Sequence, residues 1–414
     1  MIGIAWPDAS QHIFYTRYDS EQDTYGVVET YWSAGVGWNT RAVPGPPVLS
    51  ELSTFVGADG PHLVYGGGAI PGVQYIFDLW WDGGQWISAQ VTDIGASGSL
   101  AAYATPNGQN HVIYPEIVDN PPGQKPLSGA LMYLSWSNNH DGTVNLTFQD
   151  DVYNLVNAAG GELGAVWERG PLVAYANPDG SEWCFFPEAG PTGPLLGQLW
   201  ALNINNDALI SSVDVVSSAG CPPVAQASGL TAYSIWIGTP ILLQVAYPAG
   251  SQHVFFTDGA HNIWEASTGD GLNYTAANLS EEAGADAVPA WYQQDGGSPA
   301  ASPLAGFITF SYPPPRRWPF DVGLPEWLRF PIVTQWIFYV GEDDELHYIS
   351  VDDNSVSGSS LRGVNGNAPD LPPTLLDAYM SPDGTWHVNY SGGNSVQEVY
   401  WLNGDWFPNT LAQL

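Results

Sequence analysis

The sequence predicts an all-β protein made of seven repeated units, each with four short strands. Its 414 residues include 47 glycines and 34 prolines, which favour short strands and tight turns over long helices. A five-residue motif recurs seven times along the chain. The composition is 44% hydrophobic and 13% aromatic, so the chain can form a large core and is not a disordered acidic polymer.

The repeated motif has, in most copies, two polar or aromatic residues followed by two apolar residues and an aromatic residue. Its second position is histidine in five of the seven copies. We interpret this histidine as a hydrogen-bonding partner within its own unit. The copies lie at residues 11–15, 61–65, 110–114, 182–186, 252–256, 335–339 and 386–390.

Other strand-like segments flank each copy of the motif. An apolar segment that ends in a turn precedes most copies, a segment with an acidic residue and a tryptophan follows, and a weaker fourth segment closes the unit. Four short strands per roughly fifty residues are typical of the blades of a β-propeller. The alternative, a pair of β-sandwiches, does not explain a histidine at the same place in five units.

We therefore predict one domain, residues 1–414, folded as a seven-bladed β-propeller of four-stranded antiparallel blades. The motif is predicted to form the second strand of every blade. The predicted blades span residues 1–50, 51–98, 99–170, 171–239, 240–304, 305–373 and 374–414.

The charge balance excludes several classes of partner. Lys and Arg number 8 against 42 Asp and Glu, which gives a formal net charge of −34. Such a chain repels a phosphate backbone, so nucleic acid is excluded. An anionic lipid surface is excluded for the same reason, and no run approaches the roughly 18 apolar residues that a membrane span needs.

The order of these strands resembles the fungal fucose-lectin propellers and the related tectonin-like repeats. The resemblance rests on a His-Val-x-Tyr-like strand, a Glu-x-x-Trp-like strand and a further Trp, and it covers essentially the whole chain. It implies a sugar pocket between blades, formed by an Arg, a Glu and an aromatic wall. The corresponding residues are His12, His253 and His387, then Glu29, Glu265 and Glu398, and for the aromatic wall Trp32, Trp38, Trp401 or Trp406.

Three of these histidines stand where the lectin family has its arginine. A sugar would therefore lose a bidentate charged donor, whose hydrogen bonds are worth about 1.5–3 kcal/mol each. We accordingly expect no multivalent binding of fucose. A secreted carbohydrate-binding lectin of the fucose type remains one of two predicted functions.

Long insertions in blades three to five favour the other function, which needs one dedicated small-molecule pocket. In a four-stranded blade, the loop between strands two and three and the connection to the next blade emerge on the same face. Loops much longer than about 12–15 residues are uncommon unless they build a site or are disordered. The aromatic residues of these insertions argue against disorder. The predicted substrate-binding wall consists of Trp167, Trp236, Trp291 and Tyr292.

Two of the eight basic residues lie in these insertions and are candidate catalytic groups. They are Lys125, the only lysine, and Arg169, which Glu168 would orient. In general architecture the chain is similar to the lectin-fold hetero-Diels–Alderases of fungal tropolone–sesquiterpene biosynthesis. This resemblance implies that Lys125 or Arg169 assists the loss of water that forms a quinone methide, while the pocket holds it against a sesquiterpene alkene. Of the two functions, the sequence favours this natural-product cyclase.

The sequence contains no motif for nucleophilic hydrolysis, nucleotide chemistry or zinc binding. We therefore predict no cofactor and no metal, and a small apolar molecule or a carbohydrate as the ligand. Four glycosylation sequons, at Asn145, Asn273, Asn278 and Asn389, predict a secreted protein. The two cysteines, at positions 184 and 221, could form a disulfide or remain buried thiols.

Overall fold

The computed structural model describes most of the chain as a ring of antiparallel sheets. Seven four-stranded sheets form this ring, which confirms the predicted seven-bladed β-propeller. The described residues are 1–70, 73–93, 98–116, 131–139, 143–152, 171–188, 196–225, 228–235, 250–284, 289–293, 299–311, 332–352, 355–361, 375–392 and 395–413.

The first three blades each consist of four consecutive strands. Blade one contains β1 (Ile2–Ala5), β2 (Gln11–Asp19), β3 (Thr24–Ser33) and β4 (Gly37–Ala42). Blade two contains β5 (Val48–Gly57), β6 (Gly60–Ile70), β7 (Val73–Trp81) and β8 (Trp86–Gln90). Blade three contains β9 (Ala101–Ala104), β10 (Asn110–Pro115), β11 (Leu131–Asn138) and β12 (Val144–Asp151).

Blades four to seven follow the same order, with two extra two-stranded ribbons between their strands. Blade four contains β13 (Val173–Ala176), β14 (Glu182–Pro187), β16 (Leu199–Asn205) and β17 (Ala208–Asp214). Blade five contains β19 (Leu230–Ile235), β20 (Ser251–Thr257), β21 (Ile263–Thr268) and β22 (Thr275–Asn278). Blade six contains β25 (Leu304–Ser311), β26 (Ile332–Val340), β27 (Leu346–Asp352) and β28 (Ser355–Ser360). Blade seven contains β29 (Leu375–Met380), β30 (Trp386–Gly392), β31 (Ser395–Leu402) and β32 (Asp405–Gln413).

The second strand of each blade contains the repeated motif, as predicted, and is buried on both faces. All six residues of β10 are buried. Val112 and Tyr114 pack in a cluster with Val64 of blade two, whereas Ile113 packs in a cluster with Cys184 of blade four. Successive side chains of a strand point to opposite faces, so each motif joins its blade to both neighbours. Each fully buried apolar side chain contributes about 1.5–3 kcal/mol.

Short elements lie between the blade strands of blades four to six. The loop between strands two and three of blade four pairs with the connection to blade five, so the two segments lie together on one face of the ring. In the described part of the chain no helix is long and apolar enough to span a membrane. These elements are β15 (Leu196–Gly197) paired with β18 (Val224–Ala225), β23 (Trp291–Gln293) paired with β24 (Pro299–Ala301), α1 (Val215–Ala219) and α2 (Leu279–Ala283).

The ring closes where β1 of blade one meets β29 of blade seven. The backbone N–H of Gly3 donates a hydrogen bond to Asp377 Oδ2 at 2.6 Å. A Cβ atom at Gly3 would lie 2.5 Å from the Tyr379 ring and 2.6 Å from the Asn389 side chain. This close approach requires glycine at position 3, because any larger residue would push the two blades apart.

The cysteines and the glycosylation sequons differ in their exposure. Cys184 and Cys221 are both buried free thiols, so the disulfide that the sequence left open is not formed. Asn145 and Asn273 are exposed. Asn389 is fully buried in β30, where no glycan could be attached without unfolding the blade.

Candidate functional site

A histidine on the second strand and an acidic side chain on the third strand form a buried pair in four blades. In blade one, His12 lies opposite Tyr31 in the strand register and contacts Glu29, two residues earlier. The same offset relates the other three pairs. The distances from histidine Nδ1 to the carboxylate oxygen are 2.5 Å for His12 and Glu29, 2.9 Å for His62 and Asp78, 2.6 Å for His253 and Glu265, and 2.8 Å for His387 and Glu398.

The other imidazole nitrogen of these histidines also finds a partner in its own blade. Nε2 lies 2.8 Å from the Ser10 hydroxyl in blade one and 3.0 Å from the Ser251 hydroxyl in blade five. Its partner is the Asp59 carboxylate at 2.8 Å in blade two and the Ser381 hydroxyl at 3.4 Å in blade seven. These contacts confirm that the repeated histidine is hydrogen-bonded within its own blade.

In three of the four blades, a polar side chain of the next blade covers the acidic residue. Each of these junctions therefore satisfies its buried carboxylate without a ligand. The donors and acceptors are the Trp86 indole and Glu29 at 3.0 Å, the Trp136 indole and Asp78 at 2.9 Å, and the Gln335 amide and Glu265 at 3.2 Å.

The junction of blades one and two is filled by side chains of both blades. Arg41 on β4 donates to Glu29 at 2.5 Å, and its guanidinium lies 4.2 Å from the ring centre of Trp81. Trp6 stacks on His12 with 3.4 Å between the ring centres. The Trp6 indole and the Arg41 guanidinium together occupy the space between the two blades.

The same contacts determine the protonation states of Glu29 and His12 at this junction. Burial alone would raise the pKa of Glu29, but hydrogen bonds from His12, Arg41 and Trp86 outweigh it and lower that pKa. Burial also lowers the pKa of His12, because its charged form loses solvation. Glu29 is therefore the ionised member of the pair that it forms with His12, and the Arg41 guanidinium compensates its charge.

The junction of blades seven and one contains an open pocket of about 280 Å³ at the corresponding place. Blade seven contributes the histidine and the carboxylate, and blade one contributes two tryptophans that lie opposite each other on β3 and β4. Both tryptophans are partly exposed. The lining residues used below are Gln11, Trp32, Trp38, His387, Glu398 and Asn409.

The polar groups of this pocket are arranged around the Glu398 carboxylate. His387 contacts Oε1 at 2.8 Å, and the Asn409 amide donates to Oε2 at 3.2 Å. A carboxylate accepts hydrogen bonds from hydroxyl groups, and an indole face packs against an apolar ring surface. Within the described ranges, no group of three or more His, Cys, Asp or Glu side chains is arranged to hold a metal ion.

The structure distributes the predicted sugar-binding residues over three different junctions. The first pair, His12 and Glu29, lies at the filled junction of blades one and two, and the pair His253 and Glu265 lies at the junction of blades five and six. The pocket brings together Trp38, His387 and Glu398. Trp401 is not among the described lining residues of this pocket and stacks instead on Trp386 of its own blade, with 4.2 Å between the ring centres.

The predicted enzyme pocket falls largely outside the described residues. Its candidate catalytic groups Lys125, Glu168 and Arg169 lie there, together with Trp167 and Trp236. The backbone of Trp291 and Tyr292 forms β23, but their side chains also lie outside the described part. The enzyme site therefore stays a prediction.

Three residues that belong to these histidine and carboxylate groups were not identified from the sequence. Asp78 takes the place of the third-strand glutamate in blade two, and an offset of two residues before Trp80 would have revealed it. Arg41 and Asn409 occupy equivalent places, because Arg41 pairs with Glu29 and Asn409 pairs with Glu398 in the strand register.

The fold of this chain is similar to that of solved lectin propellers. The BP39L lectin from Burkholderia pseudomallei is 14% identical to this chain with a TM-score of 0.61, and the match covers 99% of this chain and 98% of that one. A triple arginine-to-alanine mutant of AofleA from Arthrobotrys oligospora is 10% identical with a TM-score of 0.50, covering 88% and 86%. No family model matches the sequence, and no curated protein matches it. The chain therefore shares its fold with these lectin propellers.

Proposed function

We propose that the protein is a carbohydrate-binding lectin with its principal site at the junction of blades seven and one. The observation that carries the proposal is the open pocket between the Glu398 carboxylate and the tryptophans Trp32 and Trp38. The other three histidine and carboxylate pairs are covered by side chains of the next blade. The proposal therefore predicts one principal sugar site per chain.

The chemistry of the pocket favours a neutral monosaccharide unit. The Glu398 carboxylate, which His387 orients, would accept hydrogen bonds from hydroxyl groups, while Trp38 would pack on the apolar face of the sugar ring. The volume of about 280 Å³ lies just below the roughly 300–1,000 Å³ typical of ligand sites, which favours one sugar residue. Asp383 and Glu398 both line the pocket, so a carboxylated sugar would be repelled.

Glycan-array screening followed by calorimetry tests the proposal. The protein should bind neutral glycans with one site per chain. E398Q and W38A should each weaken binding roughly tenfold or more, since each removes a hydrogen bond to a charged group or an aromatic contact. The matched control E29Q changes the same kind of carboxylate at the filled junction and should leave affinity unchanged.

Two outcomes would contradict the proposal. One is an array on which no neutral glycan binds, and the other is unchanged affinity in both pocket variants. Agglutination of red cells that fucose inhibits would instead indicate several fucose sites per chain.

The natural-product cyclase draws no support from the described residues. Its candidate donors Lys125 and Arg169 and most of its aromatic wall lie outside them. The hetero-Diels–Alder reaction therefore remains a prediction from the sequence, whereas the lectin proposal rests on contacts between described side chains.

A further inference from the structure

A second pocket, of about 240 Å³, lies at the junction of blades three and four. It occupies the place equivalent to the pocket between blades seven and one. The turn before β10 closes with a hydrogen bond from Thr105 N to Gln109 O, and the turn before β30 closes in the same way from Ser381 N to Thr385 O. Both turns line their pockets through equivalent residues.

The acidic residue of this second pocket comes from the opposite blade. Tyr133 of blade three takes the third-strand place that Glu398 has in blade seven, and Glu182 of blade four takes the place of Gln11. Glu182 is only 2% exposed. The Tyr103 and Tyr133 hydroxyls lie 2.8 and 3.0 Å from its Oε2 atom.

Both hydrogen bonds described for the Glu182 side chain end on Oε2. The nearby His111 Nδ1, 3.4 Å from the same oxygen, is itself bonded to the Tyr133 hydroxyl at 2.8 Å. The other carboxylate oxygen of Glu182, Oε1, carries neither of the two bonds. Glu182 lines the pocket, so this oxygen remains for a ligand. A carboxylate has about four acceptor positions, of which the tyrosines use only part.

The described residues that line this pocket are mostly polar, and none of them is a tryptophan. Ile204 stands where blade one has Trp32, and Leu209 stands where it has Trp38. A sugar ring would therefore find no aromatic face here. Amide and carboxylate side chains provide acceptors instead, and the lining includes Asn107, Gln109, Asp179, Asn205 and Asn206.

From this geometry we propose that the second pocket binds a small molecule carrying a protonated amine. The buried carboxylate of Glu182 would pair with the ammonium group, and the amide oxygens would accept its remaining hydrogens. No basic side chain is among the described lining residues, so the ligand would supply the missing positive charge. The site is independent of the proposed lectin pocket.

Titratable groups on every neighbouring element determine how this binding depends on pH. Facing Glu182 are Tyr103 on β9, His111 on β10 and Tyr133 on β11, with Asp207 bonded to Tyr133 at 3.0 Å and Asp179 on the pocket lining. Burial lowers the pKa of His111 to about 3, so this ring is neutral and supplies no cation. Burial raises the pKa of Glu182 to about 7 despite the two tyrosine hydrogen bonds.

The bound amine should therefore displace the proton of Glu182. Because the cation needs the ionised carboxylate, affinity should rise as pH rises through about 7. Binding near that pH should release a proton, and its measured enthalpy should depend on the ionisation enthalpy of the buffer.

Calorimetry with ethanolamine tests this site, because ethanolamine is a protonated amine without a sugar ring. One molecule per chain should bind, with affinity roughly fivefold to tenfold higher at pH 8 than at pH 6. Uncharged ethylene glycol should not bind. E182Q should abolish binding, and D179N, which keeps the turn hydrogen bonds, should weaken it.

E398Q serves as the matched control and should leave ethanolamine binding unchanged. Equal binding of ethylene glycol, unchanged binding in E182Q and D179N, or no binding of ethanolamine to the wild type would each overturn the inference. Loss of glycan binding in E398Q with retained ethanolamine binding would separate the two sites, and failure of either experiment leaves the other interpretable.

Discussion

The junctions of blades one and two and of blades seven and one have the same framework but differ in occupancy. Each has a histidine and a glutamate from the preceding blade and two tryptophans from the following blade. The first is filled by its own side chains, whereas the second is an open pocket. The filled junction contains His12, Glu29, Trp81 and Trp86, and the open one contains His387, Glu398, Trp32 and Trp38.

Two positions account for the difference. Trp6 and Ser381 start equivalent turns before the second strand, and the indole is replaced by a hydroxymethyl group. Arg41 and Asn409 contact equivalent carboxylates, and the long guanidinium side chain is replaced by a short amide. The pocket therefore results from the loss of bulk at two places, and the polar groups that would bind a ligand are common to both junctions.

Filling the open junction should have the largest effect. The double variant S381W/N409R reproduces the side chains of the filled junction, so we expect complete loss of glycan binding, by at least 100-fold, with the fold preserved. Calorimetry measures the affinity, and circular dichroism with thermal melting checks the fold. S381A, which adds no bulk, should keep full affinity. Strong binding by a folded double variant would show that the pocket is elsewhere.

Removing bulk from the filled junction should mainly reduce stability. Trp6 is 7% exposed and stacks on His12, so W6A should lower the free energy of unfolding by about 3–5 kcal/mol. S381A at the equivalent place in blade seven should cost less than about 1 kcal/mol. Denaturant unfolding of both variants measures the difference, and equal losses would show that the two junctions are packed alike.

Alkaline pH should lower the free energy of unfolding through the junction of blades two and three, where Trp136 covers Asp78. Burial opposes the charged form of His62, but Asp78 and Asp59 outweigh it and raise its pKa to about 9. The resulting stabilisation is complete below pH 6.5 and is lost as pH rises through about 9, and it amounts to about 3 kcal/mol.

Denaturant unfolding between pH 6.5 and 10 measures this loss. H62Q should be less stable than the wild type at pH 6.5 and should lack the alkaline decrease, while its glycan affinity should not change. Parallel stability curves for the two proteins would show that His62 is neutral in the folded state.

The number of blades and the place of the motif were predictable because both depend on local pattern. A histidine followed by two apolar residues and an aromatic one specifies a strand buried on both faces, wherever it occurs in the chain. The hydrogen bond from the repeated histidine within its own blade was predictable for the same reason. The pairing of Asp78 with His62 was not predicted, because the motif was defined by glutamate and aspartate is one methylene shorter.

The open pocket could not be predicted, because it depends on residues that are far apart in sequence. Trp6 and Ser381 can be matched through their turns, but Arg41 and Asn409 cannot be matched by counting. Arg41 follows its glutamate by 12 positions and Asn409 by 11, because the loop between the third and fourth strands has three residues in blade one and two in blade seven. Only the strand register shows that they are equivalent.

The contact between Gly3 and Asp377 joins positions 374 residues apart. Bringing together the ends of a flexible segment that long costs about 5 kcal/mol of chain entropy, since the cost grows with the logarithm of length. A sugar held between Trp38 and Glu398 would touch both sides of this closure at once. It would then act as a reversible cross-link of the ring, so that release of the sugar and separation of blades one and seven become coupled events.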